Sequence, residues 1–140
     1  MRGNKAMKKT IITIPDSERL KKLIDDSYTG VSDNSAQRLE AKLRSSQIVA
    51  STTVPPDVIT MNSQILLSDG DEASDLVYSL VYPESADIMS NRISVLAPVG
   101  TAILGGREGD TIEWDVPGGT VRVSIKKILY QPEAAGDYEL

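Results

Sequence analysis

Apolar residues recur along this chain at two different intervals. In the first third, Leu20, Leu23 and Ile24 are spaced by three and one, and Ala36, Leu39 and Leu43 by three and four, with Arg38, Glu40 and Lys42 interleaved. Such spacing gathers apolar side chains on one face of a helix. Ahead of the first helix, Thr10-Ile11-Ile12-Thr13-Ile14 is rich in β-branched residues and stops at Pro15, which predicts a short strand and a turn. Asp16 and Ser17 then offer N-cap oxygens to a helix running past Tyr28 to end near Gly30, and Ser32-Asp33-Asn34-Ser35 supplies the start of the next. Two helices of about 10 to 15 residues, roughly 15–22 Å long at 1.5 Å per residue, joined by a tight turn predict a short antiparallel hairpin. Helices this short hold only when packed.

Beyond residue 50 the interval becomes two. Ser51 to Pro56, with a proline pair, has the composition of a stiff connector, so residues 1–50 are expected to form a strand and hairpin, 51–57 a linker, and 58–140 a second unit. Leu76, Tyr78, Leu80 and Tyr82 alternate with Val77, Ser79 and Val81, and Ile112, Trp114 and Val116 with Thr111, Glu113 and Asp115. Val121, Val123 and Ile125 continue this pattern, and the apolar phase then slips across Lys126-Lys127 to Ile128 and Tyr130, which predicts a β-bulge. Val58 to Met61, Ile65 to Leu67 and Ile93 to Leu96 are further strand candidates. One helix is expected from Pro98, with Val99, Ala102 and Ile103 inward and Gly105-Gly106 ending it. The fold class is α+β: a helical hairpin followed by an antiparallel sheet with one short helix.

Composition narrows the chemistry. The 140 residues include no Cys and no His, which removes disulfides, thiolate nucleophiles, zinc–thiolate sites, histidine bases and phosphohistidine chemistry. No cofactor or metal site is expected. The net charge of −5 opposes attraction to nucleic acid, whose affinity comes from Lys and Arg neutralising phosphates. No apolar stretch has the length of a secretory signal core or a membrane span, so a cytoplasmic protein is expected. The glycines at 100, 105, 106, 109, 118 and 119 precede no Gly-Lys-Ser/Thr and fit turns and helix ends rather than a phosphate loop.

The run from Ala97 to Asp110, followed by Pro117-Gly118-Gly119 and a strand, resembles the C-terminal domain of the Gre transcript-cleavage factors. Pro56 to Ser63 and Gln131 to Tyr138 look like a short-hairpin branch of that family, the regulators of nucleoside diphosphate kinase. The resemblance implies an FKBP-like fold for the second half and a coiled-coil hairpin that enters the secondary channel of RNA polymerase. It implies RNA polymerase as the partner; a monomer is expected, with no direct specific nucleic-acid binding and no membrane association. Ser94, Ala97, Pro98 and Val99 fall on the segment with which the family grips the polymerase rim. Where the family often has serine before this proline, Ala97 cannot cap the helix, a loss of roughly 0.5–2 kcal/mol.

In the cleavage factors, acidic residues at the hairpin tip help hold catalytic magnesium in the polymerase. Asp25, Asp26 and Asp33 are the candidates here, and equally they are ordinary loop and cap residues. Helices this short do not span the channel from its mouth. The expected function is therefore a transcription regulator that docks near the channel entrance, competes with Gre-type factors without appreciable cleavage, and affects nucleoside diphosphate kinase indirectly. The alternatives are a shortened cleavage cofactor, or a peptidyl-prolyl isomerase on the strength of the fold alone, which a chain with no Phe and one Trp supports poorly. The acidic tail from Glu133 is either a free end or an ordered contact.

Overall fold

The computed structural model describes residues 10–27, 35–68, 75–116 and 118–137. Strand β1 (Ile11–Thr13) leads directly into helix α1 (Ile14–Ser27). The cap is Thr13 and not Asp16 or Ser17: Thr13 Oγ1 accepts from the Asp16 backbone N–H at 3.2 Å, which lets the helix begin three residues earlier than expected, with Pro15 inside its first turn. Helix α2 (Ser35–Ser45) packs on α1 through the expected Ala36, Leu39 and Leu43, and strand β2 (Gln47–Val49) returns beside β1, parallel to it.

The second half is a five-stranded sheet in the order β5-β4-β3-β7-β6. Its strands are β3 (Gln64–Ser68), β4 (Leu76–Val81), β5 (Arg92–Ser94), β6 (Thr111–Val116) and β7 (Gly119–Tyr130). The sheet is mixed, because β5 runs parallel to β4 at one edge while every other pair is antiparallel. The expected bulge is present: pairing of β3 with β7 skips Lys126 and Leu129, so both halves of a twelve-residue strand keep one face on the core.

Val58 to Met61 does not form the expected strand. Its backbone is engaged elsewhere, Ile59 exchanging hydrogen bonds with Gly105 and Gly106, and the segment turns at Asn62 in the left-handed region (φ 70°). Helix α3 (Pro98–Ile103) starts where the proline indicates, and a last helix α4 (Pro132–Ala135) closes the described chain. One cluster of buried side chains joins Leu20, Ile24, Leu39 and Leu43 of the hairpin to Ile65, Leu80, Ile103, Leu104 and Ile125 of the sheet half. That shared burial seats the hairpin on the sheet half, as helices too short to persist alone require.

Candidate functional site

β5 delivers the chain into a tight turn from which α3 departs. Ser94 closes this turn twice, Oγ accepting from Leu96 N and the backbone O accepting from Ala97 N, each at 3.0 Å. Ala97 takes the N-cap position with extended backbone and no side-chain cap, as its methyl group requires. Thr101 contributes from the following turn, its Oγ1 donating to Val95 O at 2.6 Å. Gly100 is obligatory, because a Cβ there would lie 2.1 Å from the Ser94 carbonyl oxygen.

This construction places Ser94, Ala97 and Val99 on the wall of an open groove of about 710 Å³, with Pro98 exposed between the last two. Leu67, Leu76, Tyr78, Ile88, Ile93 and Val123 make most of the remaining wall, so the groove is largely apolar. At its rim the turn Ile88–Ser90 holds two apolar side chains in water, Ile88 being 73% and Met89 89% exposed. The turn is fixed by Asp87, whose carboxylate accepts from Met89 N at 3.1 Å and from Ser90 Oγ at 3.0 Å, and by Asn91 in the left-handed region. Exposed apolar residues clustered beside a concave apolar surface make this groove a candidate interaction site. The sequence singles out the 94–99 loop as a candidate but not Ile88 and Met89, since an apolar dipeptide within a polar stretch carries no periodic signal.

The hairpin end is different. Asp25 and Asp26 are exposed in the last turn of α1, a turn with no basic residue to balance the negative end of the helix dipole. Asp33 lies outside the described residues. Asp25 lines a second groove of about 430 Å³ between the helices, where Lys21, Glu40 and Arg44 mix both signs of charge over Ile24 and Leu43. Among the described residues no group of three potential metal ligands occurs.

Between these surfaces lies a polar seam. Asp16, 4% exposed, accepts from Met61 N at 3.1 Å, and burial pushes its carboxyl up to about 6, with the nearby Glu133 carboxylate adding to the effect against the hydrogen bonds of Met61 and Thr13 and the charge of Arg19. Burial and the Asp16 charge likewise oppose ionisation of Tyr82. Glu133 accepts from Thr60 Oγ1 at 2.7 Å. Gln131 donates from Nε2 to Pro55 O and Val58 O, both at 2.8 Å, while its Oε1 accepts from Ala134 N at 3.0 Å. The two stretches that mark the short-hairpin branch, 56–63 and 131–138, therefore meet, and the described part of the tail is an ordered contact. On the other helix, Lys42 Nζ donates to Ala102 O and Leu104 O, each at 3.0 Å, and burial lowers its pKa to about 8.

Residues 54–130 match the family model for the C-terminal part of the transcription elongation factors GreA and GreB. The chain is 39% identical over 132 residues to the regulator of nucleoside diphosphate kinase of Escherichia coli strain K12, a match covering 93% of this chain and 96% of that one. It is 35% identical over 91 residues to transcription elongation factor GreA of Clostridium botulinum strain Eklund 17B, covering 65% of this chain and 57% of the relative. Among solved structures, the prokaryotic transcription elongation factor GreA/GreB from Nitrosomonas europaea superposes with a TM-score of 0.72 at 38% identity, over 87% of this chain and 100% of that one.

Proposed function

We propose that this chain, which belongs to the GreA/GreB family of transcription elongation factors, docks on RNA polymerase through the 94–99 loop and its apolar groove and regulates transcription without a catalytic centre of its own. The observation that carries the reading is the rim of the groove. Ile88, which lines the groove with Ser94, Ala97 and Val99, and its neighbour Met89 are held out in water next to the segment by which the family resemblance implies polymerase contact. Apolar anchors of this kind, desolvated by a partner, supply on the order of 2 kcal/mol each at interface centres.

In this reading residues 58–140 dock near the entrance of the secondary channel and residues 1–50 present the hairpin. The protein competes with Gre-type factors for that place. Helix α1 has 14 residues, about 21 Å at 1.5 Å per residue, and α2 has 11, about 16 Å, which favours occupancy of the entrance over delivery of carboxylates to the catalytic magnesium. Greater coverage of the kinase regulator than of GreA points the same way. Any influence on nucleoside diphosphate kinase then follows from altered transcription, since a chain without histidine forms no phosphohistidine. It acts in the cytoplasm as a monomer without cofactor, and the net charge of −5 disfavours direct binding of nucleic acid.

The test is a titration of the protein into core polymerase carrying a labelled Gre-type cleavage factor, with transcript cleavage followed in the same samples. Displacement without cleavage is expected. Displacement with cleavage, lost in the Asp25→Asn, Asp26→Asn, Asp33→Asn triple variant, makes the protein a short cleavage cofactor. Failure to displace removes polymerase docking from the account.

A further inference from the structure

We propose that Lys42 is a positioning residue that fixes the direction of the helical hairpin relative to the 94–99 loop. It draws its functional meaning from the docking reading above, while its physical content concerns the free protein.

Helix α3 lies between the loop and the hairpin and is gripped at both ends. At its start, Gly100 is pressed against the Ser94 carbonyl oxygen and Thr101 is tied to Val95 O. Past its end, Gly105 adopts φ +80° so close to β1 that a Cβ would lie 2.8 Å from Thr10 Cβ, and Gly105 O accepts from Ile11 N at 3.2 Å. A load applied at Ala97, Pro98 or Val99 is therefore carried into α3 as a body rather than absorbed by the loop.

What joins α3 to the second hairpin helix is partly apolar and partly Lys42. Leu39 and Leu43 share the buried cluster with Ile103 and Leu104, but apolar contacts are non-directional and tolerate sliding. An ammonium does not. Its two 3.0 Å hydrogen bonds reach carbonyl groups two residues apart, at the end of a helix whose final carbonyls have no partner within it. No carboxylate among the described residues forms an ion pair with it. A half-buried ammonium held by two backbone acceptors at fixed positions is costly to displace along the seam, so it defines one register between α2 and α3. Methionine would fill the same space at this seam without that constraint.

The chain has no cysteine, so Lys22→Cys with Lys126→Cys places one nitroxide on α1 and one on β7 with no background labelling. Pulsed electron resonance then reads the distance between hairpin and sheet. The parent pair is expected to give one narrow distance. Lys42→Met is expected to lose it, giving a broadened or shifted distribution while thermal unfolding stays cooperative, and Lys42→Arg, whose fork can reach both carbonyls, is expected to restore it. If Lys42→Met does not fold, Lys42→Gln, which retains a neutral donor, is read in its place. An unchanged distribution in the folded Met or Gln variant overturns the proposal. Failure of the labelled parent to bind core polymerase would instead sink the docking reading, leaving the distance result to decide the role of Lys42.

Discussion

The sheet half and the hairpin expose opposite kinds of surface. Beside the 94–99 loop the surface is concave and apolar, and its shape is enforced by backbone contacts that admit only glycine at position 100. At the end of α1 it is charged, and its carboxylates stand where the helix dipole disfavours them, without a basic residue in that turn. The first surface is built for shape and the second for charge. Binding free energy follows desolvated, preorganised apolar area more closely than exposed charge, so docking is expected to live on the groove while the tip modulates.

That contrast can be broken in several places. The largest effect is expected from Gly100→Ala, whose methyl meets a backbone oxygen that cannot yield: a loss of about 3 kcal/mol in urea unfolding. Ile88→Asp should leave unfolding unchanged, the side chain being mostly in water, yet weaken displacement of a Gre-type factor roughly thirtyfold, about 2 kcal/mol; an unaltered competition curve would remove the groove from the interface. Asp16→Asn probes the seam between the two regions. The Asp16 pKa is raised from 3.8 to about 6, so its contribution to stability is fully present below pH 3.8 and is lost as the pH rises through 6. At pH 7.5 the ionised group opposes folding, with a ceiling of about 3 kcal/mol. The Asn variant, which keeps an acceptor for Met61 but needs a partner for its own N–H groups, should be more stable there by about 2 kcal/mol. Denaturant titrations at pH 7.5 and 4 should show that gain shrinking on acidification. The smallest effect belongs to the tip, where Asp25→Asn with Asp26→Asn should shift docking by less than about 0.5 kcal/mol.

Much of the architecture was legible because it is periodic. The steps of three and four in Ala36, Leu39 and Leu43 identified the helix and its buried face, and the phase slip at Lys126-Lys127 located a bulge that the pairing of β3 with β7 displays. Where local chemistry and tertiary demand diverged, the reading failed. Asp16 has the composition of a cap, yet Thr13 caps and Asp16 is buried because the folded-back 58–62 segment presents Met61 N–H to it. Val58 to Met61 has strand composition, yet its backbone groups go to separate partners: Ile59 to the loop after α3, Met61 N to Asp16, Thr60 N to Ser63 Oγ, and Val58 O to Gln131. Half of the candidate site was readable in the same way. The 94–99 loop carried a family pattern, whereas Ile88 and Met89 matter only through exposure, a property their neighbours in sequence do not encode.

The strand order also governs how the molecule comes into being. β3 is central, flanked by β4 from the next stretch of chain and by β7 from the far end, with Gln64 paired to Tyr130. During synthesis β3 and β4 emerge one after the other, but β3 keeps one open edge until β7 has been made, and the hairpin has no complete surface to pack on before then. Gln131 then closes the structure by fastening the last turn to Pro55 and Val58, contacts more than seventy residues back. A ribosome stalled within β7 would therefore hold a half-finished sheet with an exposed edge, and loss of the contacts made by Gln131 would harm maturation more than the small size of that side chain suggests.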